Sequence, residues 1–135
     1  MQPILKIKLS AGKSKKNNIS EEWERDFLGG ALLAARLLYR CLTNKPNPFS
    51  PDAPSFFIIG PPIGTSDPTV GRFAVCGKGP ANGLWAESNC GSLWNPGPRF
   101  AGFDGLWITG KTSKPVYLSI GDGDLEFRNA TDLWG

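Results

Sequence analysis

The 135-residue chain contains no histidine, three cysteines and a single methionine. Without histidine it cannot supply a Ser–His or Cys–His catalytic unit, and it lacks the commonest metal ligand in proteins. Cys41, Cys76 and Cys90 include no C-x-x-C pair. The spacing therefore predicts neither a zinc site nor an iron–sulfur binding loop.

Long apolar runs are also missing. No signal peptide and no apolar stretch of about 18 residues is present, which predicts a cytoplasmic chain with reduced thiols and no membrane partner. The net charge is only +3, and its visible source is the tract Lys13, Lys15 and Lys16. No aromatic residues are interleaved with these lysines, so the tract is interpreted as a solvated hairpin turn and no nucleic-acid partner is expected.

Glycine and proline are abundant, at 17 and 12 residues, and they lie between apolar runs. This distribution is typical of turns in a strand-rich fold, and the length suits one domain, residues 1–135. Short apolar or alternating runs predict the strands 4–9, 56–59, 72–76, 84–86, 105–109, 116–120 and 125–128. An Asp-Gly step at Asp122-Gly123 predicts that the last two form a hairpin.

One principal helix is predicted near residues 20–42, because Ser20 is a good N-cap and apolar residues follow at helical spacing. Gly29-Gly30 lies in the middle of this segment. The glycine pair either lets a backbone or a cofactor approach closely or divides the segment into two helices. The predicted fold class is α+β, with a mainly antiparallel sheet.

The segment 60–89 combines Gly, Pro, Ser and Thr with a single arginine, Arg72. It has few side chains for acid–base or nucleophilic chemistry. Backbone N–H groups beside glycine and a bidentate arginine suit a polyanionic ligand, so this segment is predicted to form a cofactor-holding surface.

Seven motifs in this order resemble the N-terminal domain of the tungsten-containing aldehyde ferredoxin oxidoreductases. They are FLGGALLAARLLY (27–39), PFSPDAP (48–54), GPPIGTSDPTVGR (60–72), SNCGS (88–92), FAGFDG (100–105), KPVYL (114–118) and NATDLWG (129–135). The resemblance spans essentially the whole chain. Departures include Ala31-Leu32 in place of a common Arg-Gly, Pro62-Ile63 in place of Leu-Thr, and Ser92 in place of a second glycine.

The resemblance implies that residues 1–135 are part of a domain that supports a tungsten (or molybdenum) bis-pterin. It implies that Arg72 binds a pterin phosphate, that Asn89 and Gly91 contact the cofactor, and that the Asn89 carbonyl oxygen is a candidate Mg²⁺ ligand. The family oxidises an aldehyde and water to a carboxylate, using a 4Fe–4S cluster to pass electrons to ferredoxin. The cluster-binding cysteines of the family lie beyond the region that the chain resembles, so catalysis is expected only with the remainder of the oxidoreductase.

Two other functions stay open from the sequence. The chain could be a non-catalytic assembly module or a truncated remnant that keeps the fold. A small basic nucleic-acid binder would depend only on the lysine tract and the sequence pI of about 8.9.

Overall fold

The structure is a computed structural model that describes residues 1–42, 46–67, 71–91 and 96–135. Two strands come first along these residues, followed by two helices, three strands, a short helix and three more strands. The strands are β1 (Ile4–Lys8), β2 (Lys13–Asn17), β3 (Ser55–Ile59), β4 (Arg72–Lys78), β5 (Trp85–Gly91), β6 (Gly105–Thr109), β7 (Val116–Gly121) and β8 (Asp124–Asn129). The helices are α1 (Glu21–Phe27), α2 (Gly30–Cys41) and the short α3 (Gly97–Phe100).

Six strands form one sheet in the order β2-β1-β6-β3-β4-β5, and β7 and β8 form a separate hairpin. Only β1 and β6 are parallel among the described strand pairs. The predicted α+β class with a mainly antiparallel sheet is confirmed. The hairpin turn is also as predicted, because Asp122 and Gly123 have φ angles of 51° and 82°, which suit a two-residue turn between twisted strands.

The lysine tract differs from its interpretation as a turn, because it lies within β2. Gly12, with φ of 56°, turns the chain one residue earlier and Lys13 already pairs with Lys8. β2 is an edge strand of the sheet. Charged side chains on an edge strand oppose pairing with other chains, which gives these lysines a structural role.

The predicted single helix is divided into α1 and α2. Ser20 caps α1 as expected, with its Oγ accepting from the Trp23 amide at 3.4 Å. Leu28 then takes a positive φ of 57° and ends the helix. A Cβ on Gly29 would lie 2.9 Å from the Ile59 carbonyl oxygen. Both roles considered for the glycine pair therefore occur, since it separates two helices and admits the backbone of β3.

Two apolar layers cover the two faces of the sheet. On one face, α2 buries Leu33, Ala34, Leu37 and Leu38 against side chains of β1, β3 and β4. On the other face, Phe103 and the β7–β8 hairpin pack against Leu5, Ile7 and Leu106. In β4, Ala74 and Cys76 belong to the face that α2 covers, whereas Phe73 packs in a third cluster with Ile59 and Ile63.

Candidate functional site

The register of β4 and β5 brings the three predicted site residues together. Arg72 pairs with Gly91, and Ala74 pairs with Asn89. Residues paired across antiparallel strands point to the same face, as do alternate residues along one strand. Arg72, Asn89 and Gly91 therefore share the face on which α2 packs, at the end of the sheet where β4 begins.

This part of the sheet is open. Every residue of β5 is exposed, as is Arg72, and β5 is an edge strand of the described sheet. The Arg72 guanidinium forms no ion pair or hydrogen bond with any residue that the structure describes. An arginine with no described carboxylate partner has its five donors available for a planar anion such as phosphate.

Gly91 leaves space beside this arginine. Its φ angle is not in the left-handed region, so its backbone conformation does not require glycine. A Cβ would meet the Gly71 carbonyl oxygen at 3.5 Å and Arg72 Cγ at 3.8 Å, which are ordinary contacts. A positive φ angle therefore does not explain the glycine at this position. Because Gly91 has no side chain, a ligand can approach the backbone of β5 next to Arg72.

The loop 60–64 lies beside the same end of the sheet. β3 ends at Ile59, which pairs with Phe73, so the loop leaves the sheet next to Arg72. The N-terminus of α2 meets it there, because a Cβ placed on Gly29 would lie 2.9 Å from the Ile59 carbonyl oxygen and 3.4 Å from Gly60 Cα. No acidic residue lies in the first turn of α2 and no side chain caps it. The positive end of the helix dipole therefore adds to the favourable potential for an anion.

A buried ion pair holds this loop in place. Asp104 is 2% exposed, and the Arg99 Nε and Nη2 atoms both lie 2.8 Å from its Oδ1. Asp104 Oδ2 accepts from the Gln2 amide at 2.8 Å. Asp104 is therefore the buried anchor of a cation.

Arg99 uses its remaining donors on main-chain oxygens. It donates to the carbonyls of Pro61 and Ile63, and to that of Gly60 at 3.3 Å. We call Arg99 and Asp104 together the loop clamp. The sequence analysis missed Arg99, because a single arginine between Pro98 and Phe100 carries no pattern that reveals contacts 36 to 39 residues away.

The loop offers fewer main-chain donors than its composition suggested. Pro61 and Pro62 have no N–H, and the amides of Ile63 and Thr65 donate to the carbonyls of Gly60 and Pro62, each at 3.2 Å. The groups at this end of the sheet that remain suited to an anion are therefore mainly the Arg72 guanidinium and the start of α2.

The Glu87 carboxylate lies near the middle of β5, on the same side of the strand as Asn89 and Gly91. We call this side of the strand the β5 face. Glu87 Oε1 accepts from Asn89 Nδ2 at 3.1 Å, and Oε2 accepts from Trp85 Nε1 at 3.4 Å. Glu87 pairs with Cys76 across the strands. Burial, and to a lesser degree the Glu87 carboxylate, raise the pKa of the Cys76 thiol to about 11. This thiol is therefore protonated at neutral pH and is a poor nucleophile.

No group of three His, Cys, Asp or Glu side chains in the described ranges is arranged to hold a metal ion. Cys41 is half-buried, Cys76 is buried and Cys90 is exposed. Ser92 of the SNCGS motif lies outside the described residues. None of the described helices is long and apolar enough to cross a membrane.

The six-stranded sheet, the helix layer on one face and the exposed arginine at its edge define a mixed α/β domain with a ligand-accessible sheet surface. The family model of the aldehyde ferredoxin oxidoreductase N-terminal domain matches residues 4–135. The chain belongs to this family.

Similar proteins agree with this assignment. The tungsten-containing aldehyde ferredoxin oxidoreductases of Pyrococcus horikoshii and Thermococcus kodakarensis are each 37% identical over 132 residues, which is 98% of this chain and 22% of each relative. An aliphatic sulfonate oxidoreductase, WOR-like subunit, of Pyrococcus furiosus is 29% identical over 134 residues, 98% of this chain and 21% of that protein. The chain thus spans about a fifth of the length of the curated relatives it matches.

A solved structure has the same fold. The active site complex BamBC of benzoyl coenzyme A reductase, in complex with 1,5-dienoyl-CoA, superposes with a TM-score of 0.94 and 29% sequence identity. The match covers 99% of this chain and 20% of that chain. The domain therefore occurs within oxidoreductases that carry much additional sequence.

Proposed function

We propose that this chain is the cofactor-binding part of a tungstopterin oxidoreductase that, when assembled, converts an aldehyde and water into a carboxylate and passes electrons to ferredoxin. The observation that carries the proposal is the exposed Arg72 guanidinium, which has no described partner and lies opposite Gly91 on the face that holds Asn89. Relatives named as tungsten-containing aldehyde ferredoxin oxidoreductases support it.

Arg72 binds a pterin phosphate through two parallel N–H donors in this proposal. Gly91 lets the phosphate approach the strand, and the amides at the start of α2 add favourable potential. Asn89 contacts the cofactor, and its main-chain carbonyl oxygen is a ligand for Mg²⁺. The proposal fits the fold because an edge strand has carbonyl groups that do not face a neighbouring strand.

The bound tungsten (or molybdenum) bis-pterin supplies the redox chemistry, and this chain's residues hold and orient its phosphate ends. The 4Fe–4S cluster and the walls of the substrate cavity come from the remainder of the oxidoreductase, in this chain or in a partner. We propose a cytoplasmic location for the assembled enzyme. The 135 residues alone are expected to show no aldehyde-dependent reduction of a viologen dye, and turnover by them would contradict this assignment.

An assembly module is the second candidate function, whether it is a dedicated subunit or a remnant that keeps the fold. It is favoured by an apolar cavity of about 370 Å³ between α2 and the β4–β5 hairpin, lined mainly by Ala35, Leu38, Tyr39, Leu42, Leu84 and Trp85. Tyr39 and Leu84 are 71% and 66% exposed, which is unusual for apolar side chains that line one cavity. A module of this kind would bind the rest of the enzyme without holding cofactor.

Substitution of Arg72 separates the two functions. Arg72→Met should lower pterin and tungsten content in the purified native complex by about one to two orders of magnitude, because a charge-assisted hydrogen bond contributes roughly 1.5–3 kcal/mol. Arg72→Lys should restore only part of the content, since an ammonium group cannot make the bidentate contact. Elemental analysis and pterin fluorescence measure the content.

Arg128→Met is a matched control, because Arg128 is also exposed on a strand but lies in the β7–β8 hairpin. It should leave the cofactor content unchanged. Equal content in all variants, with unchanged thermal stability, would reject the cofactor site and favour the assembly module.

A further inference from the structure

Glu87 makes the middle of the β5 face rich in hydrogen-bond acceptors. Its two carboxylate oxygens each accept one hydrogen bond, from Asn89 Nδ2 and from Trp85 Nε1. A carboxylate has about four acceptor positions, so roughly two remain for another molecule. No ion pair with a described residue neutralises Glu87.

The same contact sets the orientation of the Asn89 carboxamide. Its NH₂ group faces Glu87, so its Oδ1 atom is left to accept from a ligand. Glu87 and Asn89 are alternate residues of β5 and share one face. Their Cα atoms are about 7 Å apart, as set by the rise of about 3.3 Å per residue, and the 3.1 Å hydrogen bond between Asn89 Nδ2 and Glu87 Oε1 holds the two acceptor groups next to each other.

The two ends of this face have opposite chemistry. Arg72 lies across from Gly91, and Gly91 is four residues from Glu87, or about 13 Å along an extended strand. This separation is longer than the Debye length of about 8 Å at physiological ionic strength. An anion at Arg72 and a donor group at Glu87 can therefore bind at the same time without strong repulsion from the carboxylate.

We propose that Glu87 is a specificity-determining residue of the cofactor site, which selects an anionic ligand that also carries a planar edge of N–H donors. This inference rests on the proposed function, in which Arg72 holds the phosphate. A pterin ring has such an edge in its amino group and neighbouring ring N–H. Two parallel N–H groups can bond to one carboxylate, as a guanidinium does.

Paired probes test the inference on the 135-residue chain. 6-Hydroxymethylpterin pyrophosphate carries both the anion and the donor edge, whereas inorganic pyrophosphate carries the anion alone. Glu87→Gln should weaken binding of the pterin probe about tenfold, because a charged acceptor is replaced by an amide, and should leave pyrophosphate binding unchanged. Dissociation constants come from NMR titrations that follow backbone and side-chain amides of β5.

Ser88→Ala is the matched control, because Ser88 lies on the same exposed strand but on the opposite face. It should change binding of neither probe. In ligand-free Glu87→Gln protein the Asn89 carboxamide resonances should shift, which checks that Glu87 orients this group in solution. Circular dichroism establishes that each variant is folded.

The outcomes separate the two proposals. If Arg72→Met leaves binding of both probes unchanged, or the wild-type chain binds neither, the proposed phosphate site fails and the role of Glu87 fails with it. If Arg72→Met weakens both probes while Glu87→Gln affects them equally or not at all, the phosphate site stands and the role of Glu87 is rejected. Selective loss of the pterin probe in Glu87→Gln supports the inference.

Discussion

The loop clamp should contribute a large part of the stability of this domain. The Arg99 side chain is 20% exposed and that of Asp104 is 3% exposed, so the pair is largely removed from water. Replacing one partner of a buried ion pair leaves the other charge uncompensated, which typically costs 3–5 kcal/mol. Arg99→Met should therefore lower the free energy of unfolding by about this amount, out of a typical total of about 5–15 kcal/mol.

Two further variants divide the effect between the ion pair and the loop contacts. Arg99→Lys keeps a positive charge near Asp104 but loses the planar donors to the carbonyls of loop 60–64, and should cost about 1–2 kcal/mol. Arg99→Met combined with Asp104→Asn removes both charges. The double variant should lose less stability than the two single variants lose in total, because it leaves no buried charge without a partner.

Urea unfolding followed by tryptophan fluorescence measures these free energies. Hydrogen exchange of the Ile63 and Thr65 amides reports the loop itself, since both amides donate within it. A stabilising role of the loop clamp is refuted if Arg99→Met costs less than about 1 kcal/mol and the effects of the two charge removals are additive. Unchanged exchange at both amides in Arg99→Met would separately reject a role in shaping the loop.

Three other substitutions test the fold. Gly29→Ala places a Cβ 2.9 Å from the Ile59 carbonyl oxygen and should cost about 1–3 kcal/mol in thermal unfolding, whereas no change would show that α2 can move away from β3. Gly123→Ala, at φ of 82°, should cost about 1–2 kcal/mol, while Gly121→Ala, which has open space and an ordinary φ, serves as its control and should cost much less. The pKa of Cys76 is raised to about 11 from 9.0, so the unfolded chain loses this proton at a lower pH than the folded chain does. The stability that the protonated thiol provides is therefore lost as pH rises from 9 to 11, by up to about 1.4 kcal/mol per pH unit. Cys76→Ala should remove this component, and equal pH slopes for the variant and the wild type would contradict it.

Local sequence patterns determined most of the strands and helices. The alternation in β1, the Ser20 cap and the Asp122-Gly123 turn each depend on neighbouring residues, and each is present in the structure. The pattern failed for β5, predicted as 84–86 but extending over Trp85–Gly91. Its sequence WAESNCG is largely polar and small, and pairing with β4 makes it a strand although no part of the chain that the structure describes buries it.

The site was only partly determined by the sequence. The ordered motifs identified the family and named Arg72, Asn89 and Gly91, but they did not show how these residues lie relative to one another. The register of β4 against β5 decided that Arg72 faces Gly91, 19 positions later in the chain. Register depends on packing across the whole sheet, and a slip of one residue would move Asn89 to the other face.

Tertiary structure alone decided the helix break and the loop clamp. Leu28 adopts a positive φ, which side chains other than glycine rarely take, where the Gly29 backbone meets β3. Arg99 reaches carbonyl groups more than 35 residues away, next to prolines that leave those groups outside regular secondary structure. Local propensity carries no information about such contacts. Arg99 is only five residues from Asp104, but the carboxylate is also satisfied by the Gln2 amide, 102 residues earlier in the chain, and a buried carboxylate is costly without such partners.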